Sequence, residues 1–273
     1  MTTHKDLGEQ ALSSGKHVFI EKPMTSNSFD AKLLLETAKK FNRKLAVGHV
    51  FQFAPAVRKI KQLLNEHAIG KVMHITSSRI NLGPPKSEVD VIWDLGPHDF
   101  SIILYLLDEI PIKVESQKKH YSFNELYSYK PDQKIKLQKL INNAHIDLYF
   151  KSGITSHIHL SWLSSNKTRL MQIFGTEGSI IYDEMLALDG KLKLYGKGVD
   201  NRVNSGTSGS KKLSYQSGDI RMLMLEQHEP LRMECESFIN AIRFNTDLIN
   251  DGKIGMEVVK LLELVSPPFQ VNK

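Results

Sequence analysis

Three short stretches bring together residue types that move protons, bind anions or hold metals: Glu21-Lys22-Pro23, Asp94 with His98 four residues on, and His157-Ile158-His159. The Glu-Lys pair follows the apolar run His17-Val18-Phe19-Ile20 and precedes a chain-stiffening proline. It therefore sits at the carboxyl end of a strand, where open α/β sheets bind their ligands. The competing view is a solvated surface ion pair. His98 lies in Trp93-Asp94-Leu95-Gly96-Pro97-His98-Asp99, at the start of the most apolar helix of the chain. Pro97 suits a first helical turn, which puts His98 near the positive end of the helix dipole and disfavours imidazolium. Asp94 would act the other way, orienting the ring and raising its basicity. Opposed influences of this kind hold a histidine near neutrality, where general acid–base transfer works best. The alternative is that Asp94 caps the helix and His98 is a satisfied core histidine. His157 and His159 share one face of a strand. Without an assignable third ligand or an H-E-x-x-H helix they read as a half-exposed sheet face, and no metal centre is expected.

The elements that must position these groups follow from hydrophobic period. A helix over His4–Leu12, a turn at Gly15 and a strand over His17–Ile20 come first. Ser26 to Ser28 then offer caps for a helix carrying Ala31, Leu34, Leu35 and Ala38, and Lys44–Gly48 is a second buried strand. Helices alternating with short apolar strands imply a parallel α/β layer. A further helix runs from Pro55 to about His67, with Gly70 after its end. From Lys71 the texture changes. Lys71–Ile80, Ile112–Glu115, His145–Phe150, Thr155–Leu163, Leu170–Phe174, Ser179–Tyr182 and Lys191–Tyr195 read as strands spaced by turns, hence a mostly antiparallel sheet. Val91–Leu107 contains the buried helix, and Pro230–Phe244 and Ile254–Val265 return to helical spacing. Ser116–Asn143 and Val199–Gly218 read as long loops, and Gly196-Lys197-Gly198 as a turn. There is no internal repeat.

Composition bounds the class. At 273 residues the chain is long enough for two domains of about 150 residues or one large one. Hydrophobic residues at 41% and charged residues at 24% exclude disordered, collagen-like and coiled-coil chains. A net charge of +6 permits anionic substrates, but the lysines are spread rather than gathered into a nucleic-acid patch. A single cysteine, Cys235, excludes an intrachain disulfide framework and a Cys-based zinc site, and reads as a small buried hydrophobe. No secretory signal opens the chain and no apolar run is long enough to cross a bilayer, so neither a membrane nor a nucleic acid is expected as partner and the cytoplasm is the expected compartment.

Gly15-Lys16-His17-Val18-Phe19-Ile20-Glu21-Lys22-Pro23, then Val47-Gly48-His49, then Asp94-Leu95-Gly96-Pro97-His98-Asp99, resemble the Gfo/Idh/MocA family of nicotinamide-dependent oxidoreductases. The similarity extends through Ser161-Trp162-Leu163 and Pro230-Leu231-Arg232-Met233-Glu234. Asn81-Leu82-Gly83 with Trp93-Asp94-Leu95 most resembles members that act on sugars and nucleotide sugars. The resemblance implies an α/β remnant of a Rossmann domain over residues 1–50, then an α+β domain over 51–273 with a large, mostly antiparallel open-faced sheet. Catalytic roles fall on Lys22, Asp94 and His98, with His98 taking a hydroxyl proton and Lys22 stabilising negative charge on oxygen. Contacts to NAD or NADP fall on His4, Glu21, Lys22 and Pro23. The implied substrate is a secondary alcohol or ketone of a sugar, polyol or nucleotide sugar, and homo-oligomerisation through the open sheet is expected.

Two departures stand out. Phe51-Gln52-Phe53 lacks an arginine that many relatives use to bind ligands. A dinucleotide-binding sheet also needs a glycine-rich first turn, and this sequence holds none. Thr2-Thr3-His4 resembles the loop after the fourth Rossmann strand. At about 30 residues per βαβ unit, something on the order of 60 residues of the family pattern is missing, so weak cofactor binding and impaired activity are expected. The other class of function is a non-catalytic remnant that serves as a sugar-binding or oligomerisation module.

Overall fold

The computed structural model describes residues 3–83, 89–121, 140–200 and 214–267. Helix α1 (His4–Ser13) is closed by Gly15 at a φ of +76°, a left-handed position that glycine takes without a Cβ penalty. Strand β1 (Val18–Ile20) follows. Of the predicted caps, Asn27 serves: its side chain accepts from the Asp30 N–H and starts α2 (Ser28–Lys40), which buries Ala31, Leu34 and Ala38 at helical spacing. Strand β2 (Leu45–Val47) runs parallel to β1 and is buried throughout. A short 3₁₀ turn (Val50–Phe53) leads into α3 (Pro55–Asn65), which has proline in its first turn.

The rest of the chain builds one eight-stranded sheet from β3 (Val72–Leu82), β4 (Lys113–Lys119), β5 (Asn143–Tyr149), β6 (Thr155–Ser161), β7 (Leu163–Gly175), β8 (Gly178–Asp183), β9 (Leu192–Asp200) and β10 (Ser214–Met222). Its order is β10-β9-β8-β7-β3-β6-β5-β4, and every pairing is antiparallel except β3 with β6. Alternation sends Ile75, Ile146, Leu148, Ile158, Leu160 and Ile173 into the core. The other face carries half-buried side chains such as His74, His145, His157 and His159.

Helix α4 (Val91–Leu107) is the apolar centre and buries residues on every side. It packs on the core face of the sheet, and α6 (Gly252–Val265) packs on both α4 and α2. In α6 only a glycine fits position 255, because a Cβ there would lie 2.5 Å from Val47 Cγ2. The chain leaving α6 then returns to the start of α4, where Ser266 Oγ donates to Asp90 at 2.6 Å and the Ser266 carbonyl accepts from the Trp93 indole at 3.3 Å. The C-terminal helix thereby joins the small parallel layer to the large sheet.

Several expectations need correcting. Asp90, not Asp94, caps α4, accepting from the N–H groups of Ile92 and Trp93. The helix therefore begins six residues before Pro97, which lies inside it. The two long loops were drawn too wide. Residues 116–119 belong to β4 and Asn143 to β5, while 122–139 lie outside the described residues. Val199, Asp200 and Ser214–Ser217 pair in the β9–β10 ladder, Gly218 lies at its irregularity within β10, and Gly196-Lys197-Gly198 is strand, not turn. An edge ladder is held by backbone groups, so small and polar side chains there leave no alternating pattern to read. Residues 201–213 are outside the described set. Cys235 is exposed, because α5 (Pro230–Phe244) turns Glu234 and Ala241 inward and leaves position 235 on the surface. Among the described residues no helix is long and apolar enough to cross a membrane.

Candidate active site

The carboxyl ends of β1 and β2 meet the N-terminal half of α4, and that junction collects the predicted residues. Lys22 follows β1 and its Nζ donates to the Asp94 carbonyl at 2.9 Å. Asp94 lies in the first turn of α4; three residues on, Pro97 has no N–H to give the carbonyl four residues back, that of Trp93. His4 sits on the same edge, its Nδ1 3.1 Å from the Pro23 carbonyl. Glu21 folds back to accept from the Lys22 N–H at 3.2 Å, and its carboxylate lies against Gly48, where a Cβ would come within 3.0 Å of it. The Lys22–Pro23 peptide is cis.

His98 lies one turn beyond Asp94 on α4. Its ring stands edge-on to Phe51, with centroids 4.8 Å apart, and the Arg79 guanidinium lies 4.8 Å from the centroid of that same Phe51 ring. The next residue, Asp99, anchors α4 to β3 by accepting from Ser77 Oγ at 2.6 Å and from Arg79 Nε at 2.6 Å. Glu184 on the following loop accepts from Arg169 at 2.6 Å and from Arg79 at 3.4 Å, which extends the buried ion network. Such a network is costly to desolvate and is sustained only when every charge is paired. Here it fixes the height and rotation of α4 beside His98.

The electrostatics differ from expectation. His98 is eight residues into its helix, past the first turn in which the dipole acts. Burial is the largest influence on its ring, followed by the charges of Lys22 and Arg79, and together they hold it well below the ordinary histidine range. The ring is therefore neutral at physiological pH, but through desolvation and neighbouring cations, not through a balance of acid and dipole.

Two residues that the sequence had not singled out belong to the same junction. His49, directly after β2, is buried, and desolvation with the Lys22 charge lowers it to about 3. Gln52, in the arginine-poor Phe51-Gln52-Phe53 stretch, donates to the Ser101 carbonyl at 3.0 Å. Both nitrogens of His49, Nδ1 of His98 and Oε1 of Gln52 are buried without a hydrogen-bond partner among the described residues. Buried polar atoms are nearly always satisfied, so this concentration marks where a ligand or water supplies the missing partners. The signal available in sequence was position: His49 stands at the end of its strand as Lys22 stands at the end of β1.

A cleft of about 410 Å³ opens on Phe51, with Val50, Tyr182, Lys191, His228 and Leu231 among its walls. It shares the Phe51 ring with His98 and offers room for the body of a small ligand. The third stretch behaves differently. His145 stacks on His159 at 4.3 Å, and His157 bonds Asp147 at 2.8 Å. The rings stack, with His145 Nδ1 3.4 Å from His157 Nε2, and among the described residues no group of three or more His, Cys, Asp or Glu is arranged to hold a metal ion.

Comparison with known proteins agrees with this architecture. Residues 1–49 match the oxidoreductase family model with an NAD-binding Rossmann fold, and residues 57–181 match the GFO/IDH/MocA C-terminal domain. UDP-N-acetylglucosamine 3-dehydrogenase of Acidithiobacillus ferrooxidans is 26% identical over 262 residues, which is 94% of this chain and 72% of that protein. Myo-inositol 2-dehydrogenase of Thermotoga maritima is 28% identical over 190 residues, 67% of this chain and 54% of the relative. The solved structure of the Acidithiobacillus enzyme superposes with a TM-score of 0.77 at 24% identity, covering 96% of this chain and 74% of that one. An aldose-aldose oxidoreductase from Caulobacter crescentus reaches 0.74 at 18% identity, over 96% of this chain and 72% of that one.

The depressed basicity of His49 has a measurable cost in acid. Its folded-state value lies below its unfolded value, so the unfolded chain takes up the proton first and stability falls as pH drops below about 6.5. His49→Gln should lessen the loss between pH 6.5 and 4.5 by on the order of 2 kcal/mol in urea unfolding. An unchanged pH slope would show that His49 is not held neutral by the fold.

Proposed function

The chain belongs to the GFO/IDH/MocA oxidoreductase family, and from that premise we propose that it takes part in NAD(P)-dependent interconversion of a secondary alcohol and a ketone on a sugar, polyol or nucleotide sugar. The observation that carries this reading is the meeting of Lys22, His49 and His98 at one buried junction, where unpartnered polar atoms need a ligand. A neutral imidazole accepts a proton; an ammonium beside it stabilises charge growing on the oxygen that loses that proton. His98 is the proton acceptor in oxidation and the donor in reduction. Lys22, fixed by the Asp94 carbonyl, faces the reacting oxygen. Asp94 contributes through that carbonyl, which sets where the ammonium stands. His49 and Gln52 offer uncharged acceptors suited to substrate hydroxyls.

The residues present fit the nicotinamide end of a dinucleotide: the buried unpartnered imidazole of His49 and the Lys22 ammonium lie at the carboxyl ends of parallel strands, where such ligands bind. When bound there, the nicotinamide ring supplies the hydride acceptor or donor. Lys22, Glu21, Pro23 and His4 line that edge and would hold it. Division of the chain at about residue 50 into a cofactor-side and a substrate-side unit belongs to the same proposal, with α6 joining the two.

In a chain carrying a glycine-rich βαβ unit ahead of residue 1, assayed with NAD and NADP on sugars, inositols and nucleotide sugars, His98→Ala should lower kcat by about 10²-fold or more while the folded state persists. Lys22→Ala should lower activity too, partly by misplacing the cofactor. Full turnover without His98 would refute the mechanism, and no turnover with any substrate class would favour a binding or oligomerisation module.

The outer face of the sheet, with its half-buried His74, Thr76, His157 and Phe174, is proposed as a self-association surface, since an open antiparallel face must be solvated or covered. Light scattering at micromolar concentration should give a mass of at least two 31.0 kDa chains. A monomer alone would contradict it.

A further inference from the structure

Glu234 is a carboxyl that the proposed reaction does not use, yet it is 1% exposed and lies against the site. It comes from the first turns of α5 and reaches the end of β2. There Asn250 Nδ2 donates to it at 3.0 Å and, with a second contact at 2.8 Å, to the Val47 carbonyl. The Val47 N–H in turn donates to the Asn250 carbonyl at 2.9 Å. The His49 N–H, which closes a tight turn onto the Val47 carbonyl at 2.7 Å, also donates to the Glu234 carboxyl. Two side chains from the far end of the sequence thus grip the last residue of β2 and the first residue of the candidate site.

A second carboxylate faces the same point. Glu21 lies against Gly48 and acts on Glu234 across it. No side chain could stand at position 48 without pressing on Glu21, since a Cβ there would lie 3.0 Å from its Oε2. The groups around Glu234 are few. Glu21 faces it from the end of β1, neutral Asn250 from the loop before α6, and the backbone of His49 from β2. On α5 itself, Arg232 and Glu236 pair with each other at the surface, 2.8 Å apart.

We propose that Glu234 is a positioning residue of this site: its carboxyl holds the Gly48–His49 turn that places the His49 imidazole beside Lys22 and His98, and Glu21 across Gly48 makes that hold depend on a proton. With the proton on, the carboxyl accepts from Asn250 and His49 and carries no charge to oppose Glu21. With the proton lost, two carboxylates flank Gly48 and repel, and the ends of β1 and β2 are pushed apart. Burial, opposed by the Asn250 bond and reinforced by Glu21, raises Glu234 to about 7. The switch therefore falls in the physiological range, and by linkage the neutral form's advantage is lost as pH rises from the ordinary carboxylate range through 7.

The inference rests on reading Lys22, His49 and His98 as the site, but its test reads the backbone and needs no turnover. The amide resonances of Gly48 and His49 are followed by nitrogen-15 NMR from pH 5.5 to 8.5 in the chain as it stands. The His49 ring, at about 3, does not titrate in this window. The wild-type chain should show an inflection near pH 7, Glu234→Gln should abolish it while keeping the fold, and Glu21→Gln should move its midpoint down. A flat wild-type profile, or an inflection that survives Glu234→Gln, overturns the proposal. Should Glu234→Gln fail to fold, the Glu21→Gln profile decides: a midpoint left in place removes the coupling across Gly48.

Discussion

The bond from the Lys22 ammonium to the Asp94 carbonyl is the contact on which the rest of the site depends. It joins the end of a strand in the small parallel layer to the first turn of the helix that packs on the large sheet. A lysine at the surface would be a mobile point charge. Here it is tied to one carbonyl, and its field reaches both His49 and His98. Everything around it serves to keep the two sides in register: Asp90 and Ser266 at the start of α4, Asp99 with Ser77 and Arg79 at the sheet, and Asn250 with Glu234 at the end of β2.

That arrangement selects uncharged imidazoles. Desolvation is the larger influence on both histidines, and the cations beside them act in the same direction. The cost is real, since buried nitrogens without partners lose the hydrogen bonds that water gives them in the unfolded chain. A ligand with hydroxyl groups restores those bonds. The same low dielectric strengthens the interaction of Lys22 with charge developing on a bound oxygen. A site that is poorly satisfied when empty is therefore well suited to a polyhydroxy ligand.

Much of this was legible in the chain itself. That a buried helix lies within Val91–Leu107 followed from the high apolar content of the stretch, and the place of Lys22 followed from an apolar strand ending in Glu-Lys-Pro. What failed was local chemistry that tertiary contacts decide. Asp94 offers a cap in sequence, but the N–H groups of Ile92 and Trp93 and the Ser266 hydroxyl from far along the chain all meet Asp90 instead. Pro97 was read as a helix start because proline favours that position, yet packing on both faces sustains the helix through it. His49 and Glu234 carry no motif of chemistry on their own. One is a histidine after a buried strand, the other a glutamate in an amphipathic helix. Their meaning arises where the fold brings them, 185 positions apart in the chain, within a hydrogen bond.

The account's central claim is that Lys22 and His98 form one electrostatic unit across the junction. The direct measurement is the titration of the His98 ring by carbon-13 NMR in the wild-type chain and in Lys22→Met. The account predicts that His98 stays neutral well below the ordinary histidine range in the wild type, and that removing the Lys22 charge moves its midpoint up. A His98 midpoint that is the same in both proteins would contradict it.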